Sequence, residues 1–212
     1  MRRLPVYLVL DTSGSMHGEA IEAVKNGVQV LVSTLRQDPY ALETACLSVI
    51  TFDSAAHQLV PLTELGSFQQ PSIQATGTTA LGEALSLLSK RIDSEVSKTT
   101  AEQKGDWMPL VFLMTDGSPT DDWRNGLSEL KKVKTGMIVA CAAGPNVDTS
   151  ILKQITDVVV QLDTADSSTI RAFFKWVSAS VSSGSKKIET GLGDASTLKD
   201  LPPPPPEVNL VL

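Results

Sequence analysis

Short runs of apolar and β-branched residues recur along this chain, separated by segments whose apolar residues step by three and four. The runs fall at residues 5–10, 44–52, 109–114, 137–142 and 158–162. Most are continuous rather than alternating, as strands buried on both faces of a parallel sheet should be. The segments between them each carry one apolar stripe. Ile21, Val24, Val28, Leu31 and Leu35 form the first, and Leu81, Leu85, Leu88 and Ile92 the second. Trp123, Leu127 and Leu130 form a third, and Ile170, Phe173, Phe174, Val177 and Val181 the last. Such stripes predict helices packed on a sheet, with Asp166, Ser167 and Ser168 suited to capping the final one. Residues 57–62 follow Phe52 after DSAA, a connection that predicts a hairpin and an antiparallel edge strand. Strand–helix alternation of this kind gives an α/β layered domain with a mostly parallel sheet.

At 212 residues, 42% hydrophobic and 20% charged, the chain holds one well-filled domain and a tail. Its formal net charge of −6 argues against nucleic acid or an anionic membrane as the main partner. Two arginines precede the first apolar run, but Pro5 interrupts it, Asp11 ends it, and no small-residue cleavage site follows. The run therefore reads as a strand rather than a signal peptide, and a cytoplasmic protein is expected. No other apolar stretch approaches membrane-spanning length. Cys46 and Cys141 lie in separate apolar runs and read as small buried residues, not as a disulfide or metal pair.

The composition turns polar and Gly/Ser-rich near Ser182, which predicts a domain over residues 1–182 and a polar, proline-rich tail over 183–212. Disorder is expected for that tail on composition. The run PPPPP at 202–206 imposes polyproline II, and an alternative makes it a stiff spacer presenting residues 208–212 as a strand or hook for another surface.

Loops leaving the carboxyl ends of parallel strands gather along one edge, where open α/β folds bind ligands. Asp11, Ser13 and Ser15 follow the first strand in DTSGSM. Gly77, Thr78 and Thr79 lead into the second long helix in QATGTTALGEAL. Asp116 follows the strand PLVFLMT, with Gly117, Ser118 and Pro119 behind it. These segments carry no cysteine or lysine, and His17 is the one histidine near them. Hydroxyls and carboxylates are hard oxygen donors, suited to Mg²⁺ or Mn²⁺ rather than zinc. A turn with a helix cap would also use Ser and Asp. Asp53 reads as a turn residue, and Asp121 and Asp122 as caps of the helix that starts near Trp123.

DTSGSM resembles the Asp-x-Ser-x-Ser signature of von Willebrand factor A domains, TGTTAL their threonine loop, and LMTDG their third motif. Three separated motifs agree in order over roughly residues 4–181, with Thr78 in a slot often held by glycine. The resemblance implies a doubly wound, Rossmann-like α/β/α fold with a six-stranded sheet of order 3-2-1-4-5-6. One edge strand would be antiparallel. It also implies a metal-ion-dependent adhesion site. There Ser13, Ser15 and, in the ligand-binding state, Thr79 would touch the metal, while Asp11 and Asp116 would act chiefly through water. The segments LPVYLVLDTSGSM, SVITFDSAA and MPLVFLMTDGSPTDDW look closest to TerY-type proteins of tellurite-resistance clusters. That group is associated with protein kinase-like and PP2C-type phosphatase partners.

The expected function is a binding module, not an enzyme. It would hold Mg²⁺ or Mn²⁺ and recruit a protein whose Asp or Glu completes the coordination shell. The rival reading is a magnesium-dependent phosphohydrolase or phosphoacceptor with Asp11 as nucleophile. Against it, no lysine follows a later strand to neutralise a phosphoryl group, and no base is evident. Gly14 and Gly18 do not make a dinucleotide or phosphate loop.

Overall fold

Neighbouring residues of the first strand, β1 (Leu4–Asp11), face two different cores. Leu4, Val6, Leu8 and Leu10 enter one, while Tyr7 and Val9 enter the other. Side chains alternate across a strand, so a strand covered on both faces is apolar at every position. All eight residues of β1 are buried, and so are all eight of β2 (Ala45–Phe52) and all six of β4 (Leu110–Thr115). The computed structural model describes residues 2–145, 147–189 and 201–211.

One mixed sheet has the order β3-β2-β1-β4-β5-β6-β7, adding β3 (Ala56–Glu64), β5 (Met137–Ala143), β6 (Val158–Leu162) and β7 (Val208–Leu210). The pairs β1–β2, β1–β4, β4–β5 and β5–β6 are parallel, and β2–β3 and β6–β7 are antiparallel. On the first face lie α1 (Glu19–Gln37), the short α2 (Pro39–Thr44) and α6 (Ser167–Glu189). On the second lie α3 (Leu81–Glu95), α4 (Trp123–Leu130) and α5 (Thr149–Ile155). Asp166 Oδ1 accepts from the Ser168 and Thr169 amides and opens α6, as its sequence predicts. The Phe174 ring of α6 lies against the α1 backbone at Gly27, where a Cβ would run into it.

The predicted order and hairpin hold, and a seventh strand is added to the six expected. The described part of the tail is structured. Helix α6 continues to Glu189, and residues 201–211 return to the sheet. Trp176 Nε1 donates to Pro202 O at 2.8 Å, and Val208 buries beside β6 in the register Leu162↔Val208. Apolar Leu201 and Val208 flank the prolines, and both sink into the first core. Burying Val208 and pairing the open edge of β6 outweighs the polar composition of the segment as a whole. Helices α2 and α5 were not legible as separate stripes. Each is a turn or two long, begun by an aspartate cap, Asp38 or Asp148. Cys46 and Cys141 are free and buried on β2 and β5, with β1 and β4 between them.

Candidate metal centre

The order of the sheet puts β1 beside β4, and the chain leaves these strands toward opposite faces. After β1 it enters α1 on the first face, and after β4 it enters α4 on the second. That divergence opens a crevice at the strands' carboxyl ends, the usual ligand position in open α/β sheets.

Asp11 ends β1 and is fully buried. Its Oδ1 accepts from the Ser13 amide at 2.8 Å, and its Oδ2 from Thr115 Oγ1 at 2.5 Å. Both carboxylate oxygens are thus held from inside the protein, and the chain turns tightly over them. A 3₁₀ turn at Gly14–Met16 then brings the Ser13 and Ser15 hydroxyls 3.1 Å apart. Ser15 Oγ donates to Asp116 Oδ1 at 2.7 Å, joining the first loop to the one after β4. Ser13, Ser15 and Asp116 therefore form a continuous line of oxygens, with Asp11 buried behind it.

The third loop is clamped from both sides. Thr76 N donates to Thr12 O at 2.8 Å, Gly14 N to Gly77 O at 3.0 Å, and Ala80 N to Asp53 O at 2.7 Å. Gly77 has φ +71°, a conformation that disfavours any side chain, and a Cβ there would collide with Ser54 Oγ. Thr78 is exposed and turns to Ser54, its amide donating to Ser54 Oγ at 3.1 Å. Thr79 is buried, and its hydroxyl lies over Gly117, where a Cβ would come within 3.3 Å of Oγ1. It makes no hydrogen bond with Ser13, Ser15 or Asp116, so Thr79 sits beside the other four residues rather than among them. Of the two threonines, Thr79 is the one that faces the crevice loops.

Burial pushes the Asp11 carboxyl above its ordinary range. The bonds from Ser13 and Thr115 oppose that rise, and the charge of Asp116 adds to it. Burial raises Asp116 as well, tempered by the Ser15 hydroxyl. Each carboxylate bonds only to hydroxyls and amides, so a cation held here would relieve both. The donor set fits a hard divalent ion. Adjacent vertices of an octahedron with arms of about 2.1 Å lie about 3 Å apart, the spacing that Ser13 and Ser15 already have. Among the described residues, no group of three or more His, Cys, Asp or Glu has metal-binding spacing. The candidate centre draws instead on hydroxyls.

One contributor, Thr115, was not singled out by sequence. It orients Asp11, although the signal was present as the residue before Asp116 in LMTDG. Asp122 caps α4 as predicted, accepting from the Asn125 amide at 3.3 Å. Asp121 does not share that role: its Oδ1 and Oδ2 accept from the Gly82 and Glu83 amides of α3, each at 2.9 Å. Asp53 is the turn residue expected, Oδ1 accepting from the Ala55 amide at 3.1 Å, and His17 is exposed on its loop.

No helix among the described residues is long and apolar enough to cross a membrane. Among solved structures, the pilus adhesin SpaC from Lactobacillus rhamnosus GG shares the fold with a TM-score of 0.67. It is 16% identical, over 86% of this chain and 31% of that one. Proximal thread matrix protein 1 from the mussel byssus, in a form with a zinc-occupied MIDAS motif, matches with a TM-score of 0.57. It is 22% identical, over 84% of this chain and 46% of that one. An uncharacterized protein of Synechocystis sp. is 35% identical over 123 residues, 55% of this chain, which spans only 26% of that relative's length. The family model for the von Willebrand factor type A domain matches residues 6–192, and the chain belongs to that family.

Proposed function

We propose that this von Willebrand factor type A domain is a divalent-metal-dependent protein-binding module. Asp11, Ser13, Ser15, Thr79 and Asp116 would hold Mg²⁺ or Mn²⁺, and an Asp or Glu of a partner protein would complete the shell. The observation that carries this reading is the line of oxygens Ser13–Ser15–Asp116, backed by a buried Asp11 and bonded to no cationic side chain. The ion would supply a positive centre that attracts and orients a carboxylate. Neutral hydroxyls leave that charge undiminished, and His17, Gln74 and Thr78 on the surrounding loops are exposed to a partner. Hard oxygen donors favour magnesium or manganese in this chain over the zinc of the mussel protein.

The geometry weighs against Asp11 as the nucleophile of a phosphohydrolase or phosphoacceptor. Its side chain is fully buried, and both oxygens are occupied by Ser13 and Thr115. A nucleophile needs an open face toward its substrate and a group to neutralise the phosphoryl charge. We read the protein as non-enzymatic.

The resemblance of its motif segments to TerY-type proteins extends the proposal to a tellurite or stress-resistance system with kinase-like and PP2C-type phosphatase partners. A cytoplasmic setting is part of the same reading, supported by two free buried thiols. Affinity capture from the source lysate, run in magnesium and in chelator, tests the module. The proposal expects a protein retained by the wild type in magnesium and lost in chelator or with Asp116→Ala. Equal retention by Asp116→Ala would overturn it, and phosphate-ester turnover abolished by Asp11→Asn would restore the enzyme.

A further inference from the structure

Helix α3 begins at Leu81, and its N-cap position is Ala80, which has no side chain to satisfy the first amides. Asp121, from the loop after β4, supplies both missing acceptors. Its two oxygens take the Gly82 and Glu83 amides at 2.9 Å each. One residue earlier, Thr120 grips Thr79 itself. The Thr79 amide donates to Thr120 Oγ1 at 3.2 Å, and the Thr120 amide donates to Thr79 O at 2.9 Å. Four bonds thus join Thr79, Gly82 and Glu83, around the α3 start, to Thr120 and Asp121 of the loop that follows Asp116. The contact is tight: a Cβ on Gly82 would come within 2.6 Å of Asp122 O, and one on Gly126 would run into Gly82 O.

From this clamp we infer that Asp121 is a positioning residue for the candidate metal centre: with Thr120, it sets where the Thr79 hydroxyl stands relative to Asp116. The inference rests on the metal-binding reading above. Asp116 and Thr79 come from loops far apart in sequence, and no direct bond joins their side chains. The 120–121 clamp supplies the hydrogen bonds described directly between these two loops; the other link runs indirectly, through the first loop at Gly14 and Ser15. A carboxylate is required because one oxygen must reach each of two amides. Thr120 needs its hydroxyl because the Thr79 amide otherwise has no acceptor. Asp121 acts on the ion through Thr79, and it has no bond to Asp11, Ser13, Ser15 or Asp116.

The test is a titration of the full chain with Mn²⁺ alone, followed by the electron paramagnetic resonance signal of the free ion. Wild type, Asp121→Ala, Asp121→Asn, Thr120→Val, Thr79→Ala and the Asp121→Ala/Thr79→Ala double variant are compared. Residues that orient metal ligands carry about 10- to 100-fold in affinity, and Asp121→Ala is expected to weaken Mn²⁺ by about tenfold. Asp121→Asn keeps one acceptor oxygen and loses less, and Thr120→Val weakens binding without touching Asp121. In the Thr79→Ala background, Asp121→Ala changes affinity less than twofold, an outcome that a general loss of stability would not produce. Mn²⁺ binding by Asp121→Ala equal to wild type overturns the positioning role while leaving the metal site standing. An undiminished loss in the Thr79→Ala background overturns the route through Thr79. Failure of the wild type to bind Mn²⁺ overturns the site and the inference together.

Discussion

At the amino ends of β1 and β4, Asp106 meets Arg3; at their carboxyl ends, Asp11 and Asp116 meet only hydroxyls and amides. The first pair is a fork. Arg3 donates through Nε to Asp106 Oδ1 at 3.1 Å and through Nη2 to Oδ2 at 2.6 Å, with the Ser97 amide adding a third donor. Burial is the largest single influence and would raise the Asp106 carboxyl, but the bonds and charge of Arg3 together with the Ser97 amide outweigh it and hold the group below the ordinary carboxylate range. At the other end burial wins, and both carboxyls stand above theirs. The same sheet thus carries one carboxylate with its cation built in and two bonded to hydroxyls and amides without a cationic side chain. A self-neutralised carboxylate fastens structure. An unneutralised pair at a crevice is fit to bind.

Breaking the built-in pair should have the largest effect. Arg3→Met leaves Asp106 without its partner, and losses of about 3–5 kcal/mol follow when a buried pair is broken. Arg3 is one-third exposed, so about 2–3 kcal/mol is expected, read by urea unfolding and unchanged by magnesium. Supplying the outside cation comes next. Magnesium at about a hundred times its dissociation constant adds about 2.7 kcal/mol to the wild type, a melting shift of about 5–10 °C. Replacing single carboxylates sharpens the contrast, because the signs differ. In chelator, Asp116→Asn leaves stability unchanged or raises it by about 0.5–1 kcal/mol, since it relieves a desolvated charge that also repels Asp11. Asp106→Asn lowers stability by about 1–2 kcal/mol in the same buffer, through the lost charge-assisted bonds. Loss of stability in both variants would break the comparison.

The smallest effect is on the acid limb. The Asp106 carboxyl is lowered in the folded state, so its contribution is fully present above the unfolded value of about 4. It is lost as pH falls through the lowered folded value. Unfolding measured from pH 5 downward should therefore show a shallower acid loss in Arg3→Met than in the wild type.

Much of this was legible because burial on both faces erases the polar half of a strand's alternation. Residues 158–162 read as β6 without revision. The hairpin strand β3 was legible for a different reason, its short DSAA connection to Phe52, and its alternating exposure in the structure fits an edge. Strand β7 was legible only as the alternative to a disordered tail, because Val208, Asn209 and Leu210 follow a proline run and it is the open edge of β6 that gives them a place. Asp11, Ser13, Ser15, Asp116 and the Thr78–Thr79 pair could be gathered from sequence because each lies near a strand end or helix start that periodicity had located, while the choice of Thr79 came from the resemblance to the family's threonine loop. Asp121 could not be placed that way. Two aspartates before Trp123 look like one cap, yet the helix that Asp121 serves begins some forty residues earlier in the chain.

The most direct test of the claim that one end of the sheet is completed by an outside cation is a paired melting measurement. Wild type, Asp116→Asn and Asp106→Asn are each melted in magnesium and in chelator. The account predicts a magnesium shift in the wild type, the same shift in Asp106→Asn from a lower starting point, and none in Asp116→Asn. A wild type indifferent to magnesium, or an Asp116→Asn variant that keeps the full shift, would contradict it.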